Sequence, residues 1–162
     1  YVVDKYSVDL STSSLYILLI PVIGFWGRAV YTPHYSMMGE RENAVSLAGF
    51  LVCTAASLML CFGKIGMAAS VMALGVIYAA VSVINTSFLS IYPLRYTKTG
   101  NISSVSGIMD FATYLGAGVS SVIYGAVIKH FGYLPMFISW AVISVISMAL
   151  IVKAERTQRY LK

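Results

Sequence analysis

The sequence predicts an all-helical membrane protein with five transmembrane helices. Three observations carry the prediction: the apolar excess, the spacing of the charges and the small residues within the apolar runs. Of 162 residues, 59% are apolar and 10% are charged, with a mean hydropathy of +0.81. A soluble domain carries about 25% charged residues, and a chain of this size still leaves roughly 30% of its unfolded surface exposed after folding. In water that surface would be broad and adhesive; in hydrocarbon it is matched to its solvent. A soluble enzyme, a nucleic-acid module and a disordered segment are thereby excluded.

Charged residues are absent from 10–27, 43–63, 65–94, 111–128 and 131–152. A helix needs about 20 apolar residues to cross a hydrocarbon layer roughly 30 Å thick. Spans are therefore expected near 13–33, 44–62, 66–92, 103–128 and 135–152. They are helices and not barrel strands because the runs are long and lack two-residue alternation, and because a helix satisfies its backbone polar groups within one segment.

The first span follows the hydroxyls of Ser11 to Ser14, which read as caps, and contains Pro21, where a kink is expected. Pro33 and Pro93 mark the ends of the first and third spans, and Pro135 the start of the fifth. Residues 1–10 precede the bundle (11–153) and a basic tail (154–162) follows it.

Lys and Arg divide unequally between the two sides of the layer. Arg28, Arg41, Arg95, Lys98, Lys153, Arg156, Arg159 and Lys162 fall on one side, and Lys5, Lys64 and Lys129 on the other. Positive charge favours the cytoplasm, so the tail is expected inside and residues 1–10 outside a plasma membrane. Tyr31, Tyr35, Tyr92 and Tyr96 cluster at the same boundary, as an aromatic belt would. This distribution accounts for the net charge of +5 without a nucleic-acid partner. Tyr1 in place of Met, with no signal-peptide pattern, reads as part of a longer protein.

The third and fourth spans are rich in small residues. Ala112, Gly116 and Ser120, and likewise Ala117, Ser121 and Gly125, repeat every four positions, a spacing that lets helix backbones approach closely. Both spans are expected inside a bundle, and the bulky fifth span facing lipid. Asp110 lies about 12 Å into the fourth span, where a charge costs on the order of 2.5–3.5 kcal/mol on an insertion scale and calls for protein or water around it. Arg28, at similar depth in the first span, is a candidate charge pair or gate with Asp110. Asp110 reads equally as a proton relay, a substrate contact or a structural anchor. Asn85 and Thr86 read as a polar path or as interhelical glue. Cys53 and Cys61, eight residues apart on one helix, are about 12 Å apart and cannot bridge each other. His34 and His130 fall at the edges of spans. No catalytic set, metal cluster or phosphate loop has the required spacing, so no enzyme activity, metal or cofactor is expected.

At the fourth span the sequence resembles a known family. Gly-Ile-Met-Asp-Phe-Ala-Thr-Tyr-Leu-Gly at 107–116 and Ser-Ser-Val-Ile-Tyr-Gly-Ala-Val-Ile-Lys-His-Phe-Gly-Tyr at 120–133 are similar to the eleventh helix and following loop of major facilitator superfamily transporters, closest to the organophosphate:phosphate antiporters. The resemblance implies that the five spans are helices eight to twelve of a twelve-helix protein, part of its C-terminal six-helix bundle. Helix seven and the N-terminal half would then lie outside this chain, together with the substrate arginines that the antiporters carry on helices one and seven. It implies transport of a small anionic or phosphorylated metabolite by alternating access, as an antiporter or symporter, with Tyr114 lining the substrate cavity and Asp110 and Asn85 beside the path. Asp110 departs from the antiporters, which more often carry a small residue there. The same branch contains non-transporting sensors, so a membrane receptor is the second expectation.

Overall fold

The structure, a computed structural model, describes residues 1–34, 42–62 and 65–160. Helix follows helix throughout: α1 (Val2–Tyr6), α2 (Leu10–His34), α3 (Glu42–Cys61), α4 (Met67–Asn85), α5 (Ile102–Phe131) and α6 (Leu134–Tyr160). Between α4 and α5 the helix continues in two other forms, a π-helical turn at Thr86–Ile91 and a 3₁₀ segment at Tyr92–Thr99. No strand occurs among the described residues.

The five expected spans are all present. Ser11–Val30, Asn43–Cys61, Met67–Thr99, Ile102–Phe131 and Leu134–Arg156 are long and apolar enough to cross a membrane. Two local readings shift, at the start of α2 and at the end of α6. α2 begins at Leu10, so Ser11 to Ser14 lie in its first turns and not ahead of it; the Asp9 carbonyl accepts the Ser13 N–H at 3.0 Å and its carboxylate accepts the Ser11 hydroxyl. Pro21 lies within α2, which stays helical on both sides of it. α6 extends to Tyr160, into the expected tail. Tyr35, Glu40, Arg41, Lys64 and Lys162 lie outside the described residues, as do the side chains of Tyr31, His34 and Arg159.

α4 packs on α2 on one side and on α3 on the other, and α3 packs in turn on α6. Small residues set the α2–α4 seam. A Cβ on Gly24 would stand 2.3 Å from Cδ1 of Tyr78, one on Gly75 would stand 2.6 Å from Cδ1 of Ile23, and one on Gly27 would stand 3.1 Å from Cβ of Ala79. The third span is thus interior, as expected. The fifth is also a packed helix and does not simply face lipid: Phe137 is 1% exposed, and with Met136 it joins Leu60 and Ala73 in the core, while Ala141 and Ser144 are buried farther along the same helix. Positions 137, 141 and 144 share one face at helical spacing, and the bulky residues around them conceal that face in a reading by size alone.

The fourth span departs furthest from expectation. Every residue of α5 from Phe111 to Val119 is exposed, and no residue of the helix is buried. Its first turns meet the π-helical and 3₁₀ segments. Near its other end Tyr124 reaches α6, with its hydroxyl 2.8 Å from that of Ser139 and its ring against Trp140. The small residues that predicted an interior helix have no covering partner among the described residues: a Cβ on Gly107, Gly116, Gly118 or Gly125 would meet nothing within 4 Å.

Beyond the apolar core, the distribution of residues differs from that of a soluble protein. Ser13, Ser46, Ser57, Ser70, Ser87 and Ser144 are buried, whereas Leu15, Phe25, Trp26, Leu51, Phe62 and Val122 are among many large apolar side chains left exposed. The accessible surface is 10532 Å², against about 7,900 Å² for a soluble protein of this mass. Helices that associate in lipid gain little from hiding leucine, so small residues take much of the seams and many bulky ones face outward, Leu60, Met136 and Phe137 being exceptions. The five helices fit a multi-pass membrane protein.

At one end of the bundle, α1 ties three connections together. The Tyr6 hydroxyl donates to the Ile65 carbonyl at 2.7 Å and lies 2.7 Å from the Ser70 hydroxyl; the Tyr133 hydroxyl donates to Asp4. The segment before α2, the α3–α4 connection and the α5–α6 connection therefore lie on the same side, as five crossings require. Gly132, at φ 76° and ψ −167°, turns the chain between α5 and α6 in a conformation suited to glycine.

Candidate functional site

The candidate site is the stretch where α4 loses its regular form and α5 runs uncovered beside it. Thr86 and Ser87 each turn a hydroxyl back on the helix, donating to the Ser82 carbonyl at 2.9 Å and the Val83 carbonyl at 3.1 Å. Such back-bonding competes with the main-chain ladder and bends helices. Six residues on, Pro93 has no N–H to give and crowds the carbonyl four residues before it. The helix accommodates both by widening: the Tyr92 N–H donates to the Ser87 carbonyl, five residues back, before the 3₁₀ segment begins. Pro93 was expected to stop this span; instead the helical path persists to Thr99 in a tighter form and ends at Gly100, at φ 71°.

This irregular end frames a cavity of about 560 Å³, lined by Phe88 and Tyr92, by Val105 and Met109 of α5, and by Leu150 and Ile151 of α6. Tyr92 stacks edge-on against Tyr96 with ring centroids 6.0 Å apart, and the Arg95 guanidinium lies 5.6 Å above the Tyr92 ring. A cation over an aromatic face at that distance is attractive. Two of the belt tyrosines and one of the basic residues expected at this boundary thus form a single cluster.

The sequence-predicted residues are distributed around this region. Asn85 is the last residue of α4 and is exposed. Asp110, next to Met109 of the cavity wall, is half-buried, and none of the hydrogen bonds or ion pairs among the described residues involves it. Tyr114, one turn farther along α5, is 76% exposed. Asp110 and Tyr114, four residues apart, share a helix face. Arg28 is exposed on α2, which packs principally on α4, whereas α5 packs on the irregular segment and on α6; no ion pair joins Arg28 to Asp110 among the described residues. Cys53 and Cys61 are both free thiols. The described residues contain no group of three or more His, Cys, Asp or Glu placed to hold a metal ion.

Sequence reasoning missed the π-helical turn. Its signal was present in the pairing of Thr86-Ser87 with a proline six residues later. What this region offers chemically is the half-buried carboxylate of Asp110 and the exposed phenol of Tyr114 on α5, and the exposed amide of Asn85 where α4 leaves the α form. π-turns of this kind recur at functional positions. No family model matches the chain, and neither a curated protein nor a solved structure is significantly similar to it.

Proposed function

We propose that this chain is part of a secondary transporter of the major facilitator type, which moves a small anionic or phosphorylated metabolite across the cytoplasmic membrane by alternating access. The observation that carries the reading is the uncovered middle of α5. Phe111–Val119 combines Ala112, Gly116, Ala117 and Gly118 with Tyr114, one turn beyond Asp110. A helix that only met lipid would have no use for that composition, since close-approach residues serve another helix and an intramembrane carboxylate marks a path for substrate or ions. The resemblance of 107–133 to an eleventh major facilitator helix supplies the covering partner: a second six-helix half, with the substrate held between the halves. Asp110, Tyr114 and Asn85 then face the path, and the π and 3₁₀ segments give α4 a place to flex as the halves rock.

The test is uptake by proteoliposomes containing the full-length protein, with a short organic phosphate monoester outside and inorganic phosphate inside. Saturable flux is the expected result. Ligand binding without flux would replace the transporter with a sensor of the same fold. Asp110→Asn separates two coupling modes: if Asp110 carries protons, the variant loses acid-stimulated uptake and keeps exchange. An unchanged pH dependence would remove the relay role.

A further inference from the structure

We infer that the cavity bounded by α2, α3, α4 and α6 is a binding site for one small, uncharged aromatic molecule bearing a single hydrogen-bonding group, with the Ser57 hydroxyl as its polar contact. This space is separate from the α5 region, contains none of Asn85, Asp110 or Tyr114, and does not rest on the transport reading.

The cavity measures about 430 Å³ and lies near the middle of the helices that form it. Phe50, Tyr78 and Trp140 supply aromatic walls, and no charged residue lines it. Ser57 also lines the cavity, is fully buried, and its Oγ has no hydrogen-bond partner. Other hydroxyls and thiols of the bundle are satisfied on their own helix four residues back: Thr54 on Phe50, Cys61 on Ser57 itself, and Thr86 on Ser82. Ser57 departs from that pattern, as does Ser46 on the same helix, but of the two only Ser57 lines the cavity. A buried hydroxyl without a partner carries the full desolvation penalty of a polar group, which a ligand donor or acceptor would remove.

Water is a poor occupant because a buried water needs two to four polar partners and apolar cavities stay dry; here the walls are chiefly hydrocarbon and aromatic. Charge is excluded by the same walls, since a charged group without a counter-charge would not leave water for them. Size sets the upper bound. Benzene occupies a cavity of about 150 Å³, so this space suits two or three fused rings. Tyr78, Val81 and Ile143 are each partly exposed at its margin, which gives a molecule dissolved in the bilayer a way in.

The test uses the full chain in a phospholipid bilayer with Trp26→Phe, which leaves Trp140 as the only indole. Two contact quenchers are titrated, 4-bromo-1-naphthol and 1-bromonaphthalene, which differ by the hydroxyl. Saturable quenching of Trp140 by both is expected. Ser57→Ala should weaken the bromonaphthol about 3–10-fold, the size of one net hydrogen bond, and leave the bromonaphthalene unchanged. Quenching that only follows the quencher's concentration in the membrane, or equal affinities with and without the Ser57 hydroxyl, would overturn the site. So would saturable quenching by a brominated phospholipid chain that bromonaphthol fails to displace, because a lipid tail would then be the occupant.

Discussion

Gly24→Ala tests the α2–α4 seam at its tightest point. The added Cβ would stand 2.3 and 2.4 Å from Cδ1 and Cε1 of the Tyr78 ring, with the Ser82 hydroxyl next at 3.4 Å. Carbon atoms pack at about 3.5–4.0 Å, so the ring must swing away or the helices must part. Overpacking of this kind costs typically about 1–3 kcal/mol. Alanine in place of glycine returns about 1 kcal/mol of helix propensity, which leaves a net cost between zero and about 2 kcal/mol. The same substitution made with Tyr78→Ala has no ring to meet. There it should stabilise by about 1 kcal/mol, so the two positions should couple by about 1–3 kcal/mol. The assay is unfolding from mixed micelles by a denaturing detergent, followed by helical circular dichroism for the four members of the cycle. Additive effects would refute the reasoning, because they would mean that Tyr78 does not lie over Gly24.

Two further outcomes follow from the rest of the fold. Gly116→Leu, in the uncovered middle of α5, should leave the bundle as stable or more stable, by up to about 1 kcal/mol of helix propensity, yet lower uptake by the full-length protein tenfold or more; a large stability loss without an uptake defect would contradict both the exposure of this face and its proposed role. The hydrogen bond to Asp4, aided by burial and by the Asp4 charge, raises Tyr133 above the ordinary phenol value. The contribution is present below the unfolded phenol pKa, near 10, and is lost as pH rises through the higher folded value; Tyr133→Phe should therefore flatten the alkaline end of a stability-against-pH curve, and an unchanged curve would remove the bond from the account.

Spans were legible in the sequence because insertion into lipid depends on hydropathy and charge, which a single chain displays openly. Gaps between charges located all five helices, and the divided Lys and Arg agree with α1, Ile65 and Tyr133 meeting at one end. The interior of the bundle was less legible. Lipid tails are as apolar as leucine, so hydropathy does not distinguish a face that meets protein from one that meets lipid. α6 illustrates this: Phe137, Ala141 and Ser144 form its packed face amid residues of the same character. α5 is the opposite case, with small residues that lack a partner among the described residues. In the candidate site, Asp110 stood out because a carboxylate in hydrocarbon is costly. Ser57 did not, since serine is common in these helices and only the combination of a missing partner and a place in the cavity wall sets it apart. The π-helical turn was hidden because back-bonding hydroxyls and a distant proline act together, not singly.

Side-specific labelling of single cysteines measures the five crossings of the bilayer most directly. With Cys53 and Cys61 replaced by alanine, cysteine is introduced in turn for Val8, Gly66, Lys98, Lys129 and Arg156 in the full-length protein, and intact cells are treated with a membrane-impermeant maleimide. Positions 8, 66 and 129 should react from outside, and positions 98 and 156 only after the membrane is opened. Labelling of position 98 from the same side as position 66 would mean that α4 does not cross the layer, and the five-helix membrane fold would be wrong.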